Sequence, residues 1–272
     1  MPRVPSNSSP TFRRNALLRA AGAVVALIVA GFIAFEVALH VSHVDSSALP
    51  PFTPPPGASP TPTPSLLADV GRSALSRVVT IEAVLPNEES LGTGWLLDTH
   101  GDFVTNAHVV SGQLAVRITD RQAHVHVATV LGMDLAADIA VVRSTDGFPG
   151  QPLAVSSVAI TGVPVSVVAL ASSRATGQVD LTPDTISNLH EDVPLNSSGQ
   201  SSPPPGAPSV YHDMLHLTGA HVFEGNSGGP VLDVRGEVVG IVTLADPNHP
   251  DAYAIPLSRV LAELNSFAAR SG

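Results

Sequence analysis

The sequence contains no cysteine and no lysine, and aromatic residues make up only 4% of it. Without cysteine the fold cannot be held by disulfide bonds, but a domain of about 200 residues buries enough apolar surface to do without them. This absence therefore does not exclude an extracytoplasmic location. All 13 basic residues are arginine, a usage typical of GC-rich bacterial genomes, and they face 23 acidic residues. Because phosphate binding needs a basic surface, this charge balance argues against nucleic acid as a partner.

One long apolar run lies near the N-terminus, from Ala20 to Phe35. Extended to Leu39, it would form a helix about 30 Å long, which matches the core of a bilayer. Four arginines precede the run, and by the positive-inside rule they place residues 1–19 in the cytoplasm. The sequence thus predicts a single-pass anchor over 20–39 in the cell membrane, with the following residues extracytoplasmic. Signal peptides also combine a basic start with an apolar stretch, so secretion after cleavage is the alternative.

A proline-rich stretch follows the apolar run, over residues 40–65. It has no apolar periodicity, and its repeated prolines favour an extended, semi-rigid chain of about 3.1 Å per residue. The stretch is therefore predicted to be a linker that holds the C-terminal part of the chain away from the membrane.

Short strand-like runs dominate the remaining sequence, and turn residues separate them. They predict an all-β fold of the sandwich or barrel type. Residues 257–268 carry apolar residues at helical spacing and predict a C-terminal helix with one buried face, and a shorter helix is expected over 66–76. The predicted strands form two sets: 78–83, 94–97, 103–105, 115–119, 124–131 and 139–143, then 163–171, 178–181, 214–222, 230–233, 237–244 and 252–255.

A glycine-rich turn with a serine at its centre is the most informative motif. Residues 225–231 read Gly-Asn-Ser-Gly-Gly-Pro-Val, and His108 and Asp138 precede them in the chain. A serine hydroxyl is a poor nucleophile unless an adjacent base takes its proton. The order histidine, aspartate, serine is that of chymotrypsin-type proteases. We therefore predict Ser227 as nucleophile, His108 as general base and Asp138 as the residue that orients the imidazole. A plain turn between strands is the alternative.

The residues around Ser227 are also candidates for an oxyanion hole. Gly225, Asn226 and Ser227 are predicted to form a tight turn whose N–H groups converge on one point, with those of Gly225 and Ser227 as the donors. Glycine tolerates the backbone angles that such a turn requires. Donors of this kind typically contribute about 100- to 1000-fold in rate.

Four stretches of the sequence resemble trypsin-like proteases of the HtrA (DegP-like) group. They are 92–110 around His108, 138–142, the serine loop 225–231, and the closing segment 253–256. The resemblance covers about residues 66–268 and implies a chymotrypsin-like double β-barrel with the active site between the barrels. By position it makes His108, Asp138 and Ser227 the triad. It also implies a first barrel over 66–152, a second over 153–256 and a helix over 257–268.

The sequence departs from this family in two places. Residues 172–216 are longer and richer in proline and serine than the family pattern, and 193–210 are predicted to be a surface loop that either gates the site or is inert. HtrA relatives usually continue into a peptide-binding PDZ domain, whereas this sequence ends at Gly272. PDZ-controlled activation is therefore not expected.

The resemblance also gives an approximate position for the specificity pocket. His221 falls near one wall, where it favours an acidic or polar side chain or else is turned away. Thr243, Leu244 and Ala245 form the opposite wall and a strand edge for the substrate backbone. No aspartate stands where a preference for Lys or Arg would need one, so such a preference is not expected.

Three other residues compete for functional roles. Asp134 is the alternative acid of the triad, but its setting in Gly-Met-Asp is that of a turn residue. His124 and His126 lie on one face of a predicted strand, as two metal ligands would. No third potential metal ligand stands at a spacing typical of metal sites. We therefore interpret His124 and His126 as two exposed histidines and expect no metal.

These observations together predict a membrane-anchored extracytoplasmic serine endopeptidase. It would act on proteins or peptides through an acyl-enzyme and would need no cofactor. A sensing or binding module with the same fold, inactive or dependent on an activator, is the alternative. An esterase using the same three residues is a third hypothesis.

Overall fold

The computed structural model describes residues 63–84, 89–172, 178–195, 206–219, 225–245 and 249–270, which all fall in one compact unit. The helices are α1 Pro64–Ala74, α2 Ala107–Val110 and α3 Leu257–Ala268. The strands are β1 Val78–Val84, β2 Glu89–Leu96, β3 Asp102–Thr105, β4 Ala115–Thr119, β5 Val125–Asp134, β6 Ile139–Ser144, β7 Ala154–Val155, β8 Val165–Ser172, β9 Val179–Pro194, β10 Val210–Thr218, β11 Pro230–Leu232, β12 Glu237–Ala245 and β13 Asp251–Pro256.

The predicted membrane anchor at 20–39 and most of the predicted linker lie outside the described residues. Among the helices that are described, none is both long enough and apolar enough to cross a membrane. The end of the predicted linker belongs to α1, which begins at Pro64 with Thr63 as its N-cap. The Thr63 hydroxyl accepts from the N–H of Leu66 and so caps the helix. The ring of Pro64 fixes its φ angle near the helical value, which suits the first helical position.

The first barrel is closed, with strand order β1-β2-β3-β6-β5-β4. Antiparallel pairing of Ile81 with Ile118 joins β1 to β4 and completes the ring. Alternating side chains point inward, as the exposed–buried alternation of β4 shows. The interior is filled by apolar residues from every strand of the ring and from α2, among them Ile81, Leu96, Phe103, Val109, Ile118 and Val142.

The second set of strands also forms a ring, in the order β11-β8-β9-β10-β13-β12, because β11 pairs with both β8 and β12. The short β7 extends it through a parallel pairing with β12. A separate apolar cluster fills the inside of this ring, and a further cluster combines residues of both barrels with residues of α1 and α3. The predicted all-β barrel architecture with a C-terminal helix is thus confirmed.

The C-terminal helix α3 packs against strands of both barrels. It contacts β5 and β6 of the first and β12 and β13 of the second. Its buried face consists of Leu257, Val260, Leu264 and Phe267, as the helical spacing predicts. Arg143 on β6 fixes its end by donating to the carbonyl of Ala268 at 2.7 Å. The helix therefore ties the last strand of the second barrel to the outer side of the first.

The β9–β10 hairpin differs from the sequence-based prediction. Only 178–181 was predicted as the first strand of this region, whereas β9 runs for 16 residues from Val179 to Pro194. Residues 193–210 are predicted as a loop, but Val193 pairs with Tyr211 and Val210 is the first residue of β10. Residues 196–205 lie outside the described residues. Many side chains on both faces of β9 are partly or fully exposed, so its sequence has no clean apolar alternation to indicate a strand.

Asp184 on β9 is a buried carboxyl group, only 6% exposed. Its Oδ1 accepts from the N–H of Thr185 at 2.6 Å, while Oδ2 is among the buried atoms without a hydrogen-bond partner in the described part of the chain. Burial, reinforced by the charge of Asp251 and opposed by the Thr185 bond and by His216, raises the pKa of Asp184 from 3.8 to about 6. The folded protein therefore binds this proton more tightly than the unfolded chain does.

We expect Asp184→Asn to stabilise the protein above pH 6 but not below pH 4. Between the two pKa values of Asp184 the folded state holds a proton that the unfolded state has lost, so the free energy of unfolding falls as pH rises through this window. The variant should gain about 2 kcal/mol at pH 7.5 in urea unfolding and little at pH 4. Asp180→Asn, an exposed position on the same strand, is the control. A gain of equal size at both pH values would contradict the prediction.

Candidate active site

His108 lies at the start of the short helix α2, directly after β3. Its neighbours Val109 and Val110 are buried in the first barrel, which fixes the helix against the sheet. The side chain of His108 is 31% exposed, whereas that of Asp138 is 2% exposed. The imidazole thus stands at the surface of the barrel with a buried carboxylate behind it.

The carboxylate of Asp138 holds His108 through three contacts, at its backbone N–H and at Nδ1. Its Oδ1 accepts from the backbone N–H of His108 at 3.0 Å. The ring atom Nδ1 lies 3.0 Å from Oδ1 and 2.9 Å from Oδ2. A carboxylate accepts hydrogen bonds, so this contact places the proton of the neutral ring on Nδ1 and leaves the Nε2 lone pair available as a base.

The surroundings of His108 favour its charged form. Burial of the ring acts against the imidazolium, but the charge of Asp138 and its hydrogen bond outweigh that effect and raise the pKa of His108. An imidazolium formed when the ring accepts a proton is stabilised here by the same carboxylate. The pair is therefore built to take up a proton and to hold it.

Asp138 occupies a strained position in the loop between β5 and β6. Its φ of 54° lies in the left-handed region, which aspartate tolerates better than most residues. The side-chain amide of Asn106 donates to its backbone carbonyl at 2.7 Å. Asp134, the alternative acid, instead accepts from the N–H groups of Ala136 and Ala137 and acts as the turn residue that the sequence predicts.

The serine turn of the second barrel is clamped by β2 of the first. The backbone N–H of Thr93 donates to the carbonyl of Ser227 at 2.8 Å, and its hydroxyl donates to the carbonyl of Gly225 at 2.7 Å. Within the turn, the N–H of Gly229 donates to the carbonyl of Asn226 at 3.0 Å. Ser227 is thereby fixed by contacts from both barrels.

These contacts set the direction of the N–H groups in the turn. In a trans peptide the carbonyl and the next N–H point to opposite sides. Because the Asn226 carbonyl points at Gly229, the N–H of Ser227 points away from the inside of the turn. The direction of the Gly225 N–H follows from residue 224, which lies outside the described residues.

Thr243 on β12 connects the serine to the residues of the first barrel. The hydroxyl of Ser227 donates to the Thr243 carbonyl at 3.4 Å. The hydroxyl of Thr243 accepts from the amide of Asn106 at 2.7 Å, and the same amide contacts the carbonyl of Asp138. The structure thus brings the three predicted catalytic residues into one network. The hydroxyl of Ser227 is bonded to Thr243 and not to His108, so it must turn before its proton can pass to the imidazole.

The three predicted pocket residues that the structure describes differ in burial. Thr243 is 3% exposed and Leu244 is 4% exposed, with the Leu244 side chain in the apolar cluster between the barrels. Ala245 is partly exposed at the end of β12. His221 lies outside the described residues.

The prediction of two exposed strand histidines holds for neither residue in full: His124 is exposed but precedes β5, and His126 lies on β5 with its side chain only 15% exposed. Each of the two pairs with an aspartate. Nδ1 of His124 lies 3.1 Å from Asp120, and Nδ1 of His126 lies 3.0 Å from Asp146. Across the described ranges, no group of three or more His, Asp or Glu side chains is arranged to hold a metal ion.

The sequence-based prediction missed two residues of this network, Asn106 and Thr93. Both residues lie in the stretch 92–110 around His108, and their closeness to His108 in the sequence is the signal that could have identified them.

Comparison with curated proteins identifies HtrA-type proteases as relatives. The chain is 29% identical over 214 residues to the mitochondrial serine protease HTRA2 of Bos taurus, covering 75% of this chain and 44% of that protein. It is 30% identical over 184 residues to Protease Do-like 1, chloroplastic, of Arabidopsis thaliana, covering 66% of this chain and 39% of that protein. The chain thus spans less than half the length of these relatives.

Solved structures share the fold. The active form of the Rv3671c protease from M. tuberculosis matches with a TM-score of 0.65 and 25% identity, covering 83% of this chain and 96% of that one. The serine endoprotease from Yersinia pestis matches with a TM-score of 0.58 and 21% identity, over 77% of this chain and 68% of the other, and shows the fold alone. The family model for the trypsin-like peptidase domain matches residues 92–241, more than half of the chain. The chain therefore belongs to the trypsin-like peptidase family.

Proposed function

We propose that this protein is a serine endopeptidase that hydrolyses peptide bonds through an acyl-enzyme. One observation carries the proposal. The imidazole of His108 is held through Nδ1 by the buried carboxylate of Asp138, and the network around Thr243 links that pair to Ser227. A base oriented by a third group beside a nucleophile is the arrangement that activates a serine.

The reaction divides into two acyl transfers. Ser227 Oγ attacks the carbonyl carbon of the substrate while its proton passes to Nε2 of His108, and Asp138 stabilises the imidazolium that results. His108 then donates this proton to the departing amine, which leaves an ester on Ser227. A water molecule, deprotonated by His108, attacks that ester and releases the acid product and the free serine.

The proposed oxyanion hole uses the backbone of the serine turn. The N–H of Ser227 supports this role because it points away from the turn, and the N–H of Gly225 is proposed as its partner donor. Asn226 shapes the turn, since its carbonyl accepts from Gly229. Preorganised donors of this kind stabilise the charge that develops on the substrate oxygen.

The substrate pocket is proposed to lie between 221 and the end of β12. Thr243, Leu244 and Ala245 are proposed as one wall and as a strand edge for the substrate backbone; Thr243 and Leu244 are buried, and Ala245 is partly exposed. His221 is proposed as the opposite wall. Proteins or peptides are the proposed substrates, and no cofactor takes part.

We also propose a single-pass anchor over 20–39 that holds the protease, residues 66–268, on the extracytoplasmic side of the cell membrane. The apolar run and the four arginines before it support this arrangement. Secretion after signal cleavage is the alternative.

Fluorophosphonate labelling of the 272-residue chain tests the proposed activity. These probes phosphonylate activated serines, so the wild-type chain should label and Ser227→Ala should not. Ser266→Ala removes an exposed hydroxyl on α3 and should label like the wild type. Labelling that persists in Ser227→Ala would overturn the assignment of the nucleophile.

A second candidate is a protease-fold module that is inactive or awaits an activator. The hydrogen bond of Ser227 favours this second candidate, because the hydroxyl donates to the Thr243 carbonyl and not to His108. This candidate predicts that the folded wild-type chain does not label, or labels only after a peptide or protein activator is added.

A further inference from the structure

Thr93 holds two carbonyl groups of the serine turn, one with its backbone and one with its side chain. Its N–H donates to the carbonyl of Ser227 at 2.8 Å, and its hydroxyl donates to the carbonyl of Gly225 at 2.7 Å. These carbonyls lie on either side of Asn226. The turn is therefore attached to β2 at two points, and only the bond to Gly225 depends on which side chain stands at position 93.

The hydroxyl of Thr93 has a fixed direction. The N–H of Ser172, the last residue of β8, donates to Thr93 Oγ1 at 2.7 Å. Thr93 and Ser172 are both 0% exposed, so bulk solvent does not compete for these bonds. A hydroxyl has a single proton to donate, and because Oγ1 already accepts from Ser172, that proton goes to the Gly225 carbonyl.

Gly225 cannot hold its own position in the turn. Its φ of 105° lies in the region that favours glycine, and glycine leaves and enters this region at little cost. The N–H of Gly225, the proposed partner donor of the oxyanion hole, is joined to the held carbonyl through the Cα atom of the same residue. A free glycine could turn this N–H away from the substrate oxygen, so a bond from outside the turn is needed to fix it.

We propose that Thr93 is a positioning residue of the oxyanion hole, whose hydroxyl fixes the Gly225 peptide and so presets the N–H groups of Gly225 and Ser227 for the substrate oxygen. This inference rests on the proposed catalytic role of the serine turn. Donors that are fixed before the reaction stabilise the developing charge without first having to reorganise. The first barrel thus contributes to oxyanion stabilisation as well as supplying the base and the acid, because the hydroxyl comes from β2.

The first test removes the hydroxyl in the 272-residue chain. Thr93→Val replaces it with a methyl group, while the backbone N–H still donates to Ser227 and keeps the nucleophile in place. The rate constant of fluorophosphonate labelling should fall about 10- to 100-fold, less than for a whole oxyanion donor, because the Ser227 N–H remains. Thr93→Ala, which adds no methyl group beside the turn, should lose as much. Thr93→Ser keeps the hydroxyl and should label within about 3-fold of the wild-type rate.

Thr80→Val is the matched control, because Thr80 pairs directly with Thr93 across β1 and β2. Thr80 is 7% exposed, and its hydroxyl is hydrogen-bonded to the side chain of Ser172, which is not part of the serine turn. Both valine variants lose a buried hydrogen bond between the barrels, and thermal unfolding measures what each loss costs in stability. Thr80→Val should nevertheless label within about 3-fold of wild type. Equal rates in the two valine variants, or a Thr93→Ser chain as slow as Thr93→Val, would overturn the proposal.

Hydrogen exchange separates this inference from the proposed function. Exchange is measured in the Ser227→Ala background, where labelling plays no part, with and without Thr93→Val. The N–H of Gly229 is bonded within the turn, and the bonded N–H of Val130 on β5 is the reference. Thr93→Val should speed exchange at Gly229 at least about 10-fold more than at Val130. Such a difference supports the inference even if the wild-type chain fails to label, and equal changes at the two positions would overturn it even if the wild-type chain labels fully.

Discussion

Replacing Asp138 with asparagine is expected to slow reaction at Ser227 by about 10³- to 10⁴-fold while the fold stays intact. The asparagine oxygen can still accept from the backbone N–H of His108, which holds the loop. Its NH₂ group then faces Nδ1 of the ring and donates to it, so the ring proton moves to Nε2. That tautomer cannot accept the serine proton, and the loss follows from this change.

The measurement is the rate constant of fluorophosphonate labelling at pH 8, with thermal unfolding as a check on the fold. Asp134→Asn is the matched control, because it makes the same change four residues earlier, at the alternative acid. Its oxygen can still accept from Ala136 and Ala137, so its rate should stay within a few-fold of wild type. A loss below about 10-fold in Asp138→Asn would mean that Asp138 does not set the tautomer.

Replacing Gly228 with alanine is expected to destabilise the protein by more than about 3 kcal/mol. Its φ of 90° is costly for any residue with a side chain. An added Cβ would lie 2.2 Å from the carbonyl oxygen of Thr93 and 2.5 Å from the hydroxyl of Thr105. Both belong to the first barrel, so the serine turn would have to move away from the strand that clamps it.

Gly112→Ala provides the comparison that isolates this crowding. Gly112 has a similar φ of 78°, but no atom lies within 4 Å of the position where its Cβ would be. It should therefore lose only about 1 kcal/mol, the cost of the backbone conformation alone. Urea unfolding of the two variants measures the difference. Equal losses would show that the serine turn can yield to an extra methyl group.

The fold could be predicted from sequence wherever pattern and packing agree. β4 has apolar residues at alternate positions, and α3 has its buried residues at helical spacing. β9 could not be predicted in full, because its side chains are half exposed and it is held by pairing with β8 and β10 along most of its length. Such pairing depends on residues distant in sequence.

The site could be predicted to the extent that its residues stand in short motifs. His108, Asp138 and Ser227 each have recognisable neighbours, and the structure brings the three into one network. Asn106 contacts Asp138 and also Thr243, which lies 137 residues after Asn106 in the sequence, and only the packing of two barrels creates the second contact.

The C-terminal helix has a consequence for biosynthesis. The chain emerges from the ribosome N-terminus first, so α3 emerges after every strand that it packs against. Each barrel can pair its strands during translation, but the anchor of Arg143 on Ala268 cannot form until translation has passed that residue. A nascent chain that stalls before residue 257 would leave the apolar patch on β5 and β6 uncovered. We expect chaperones to bind such an intermediate.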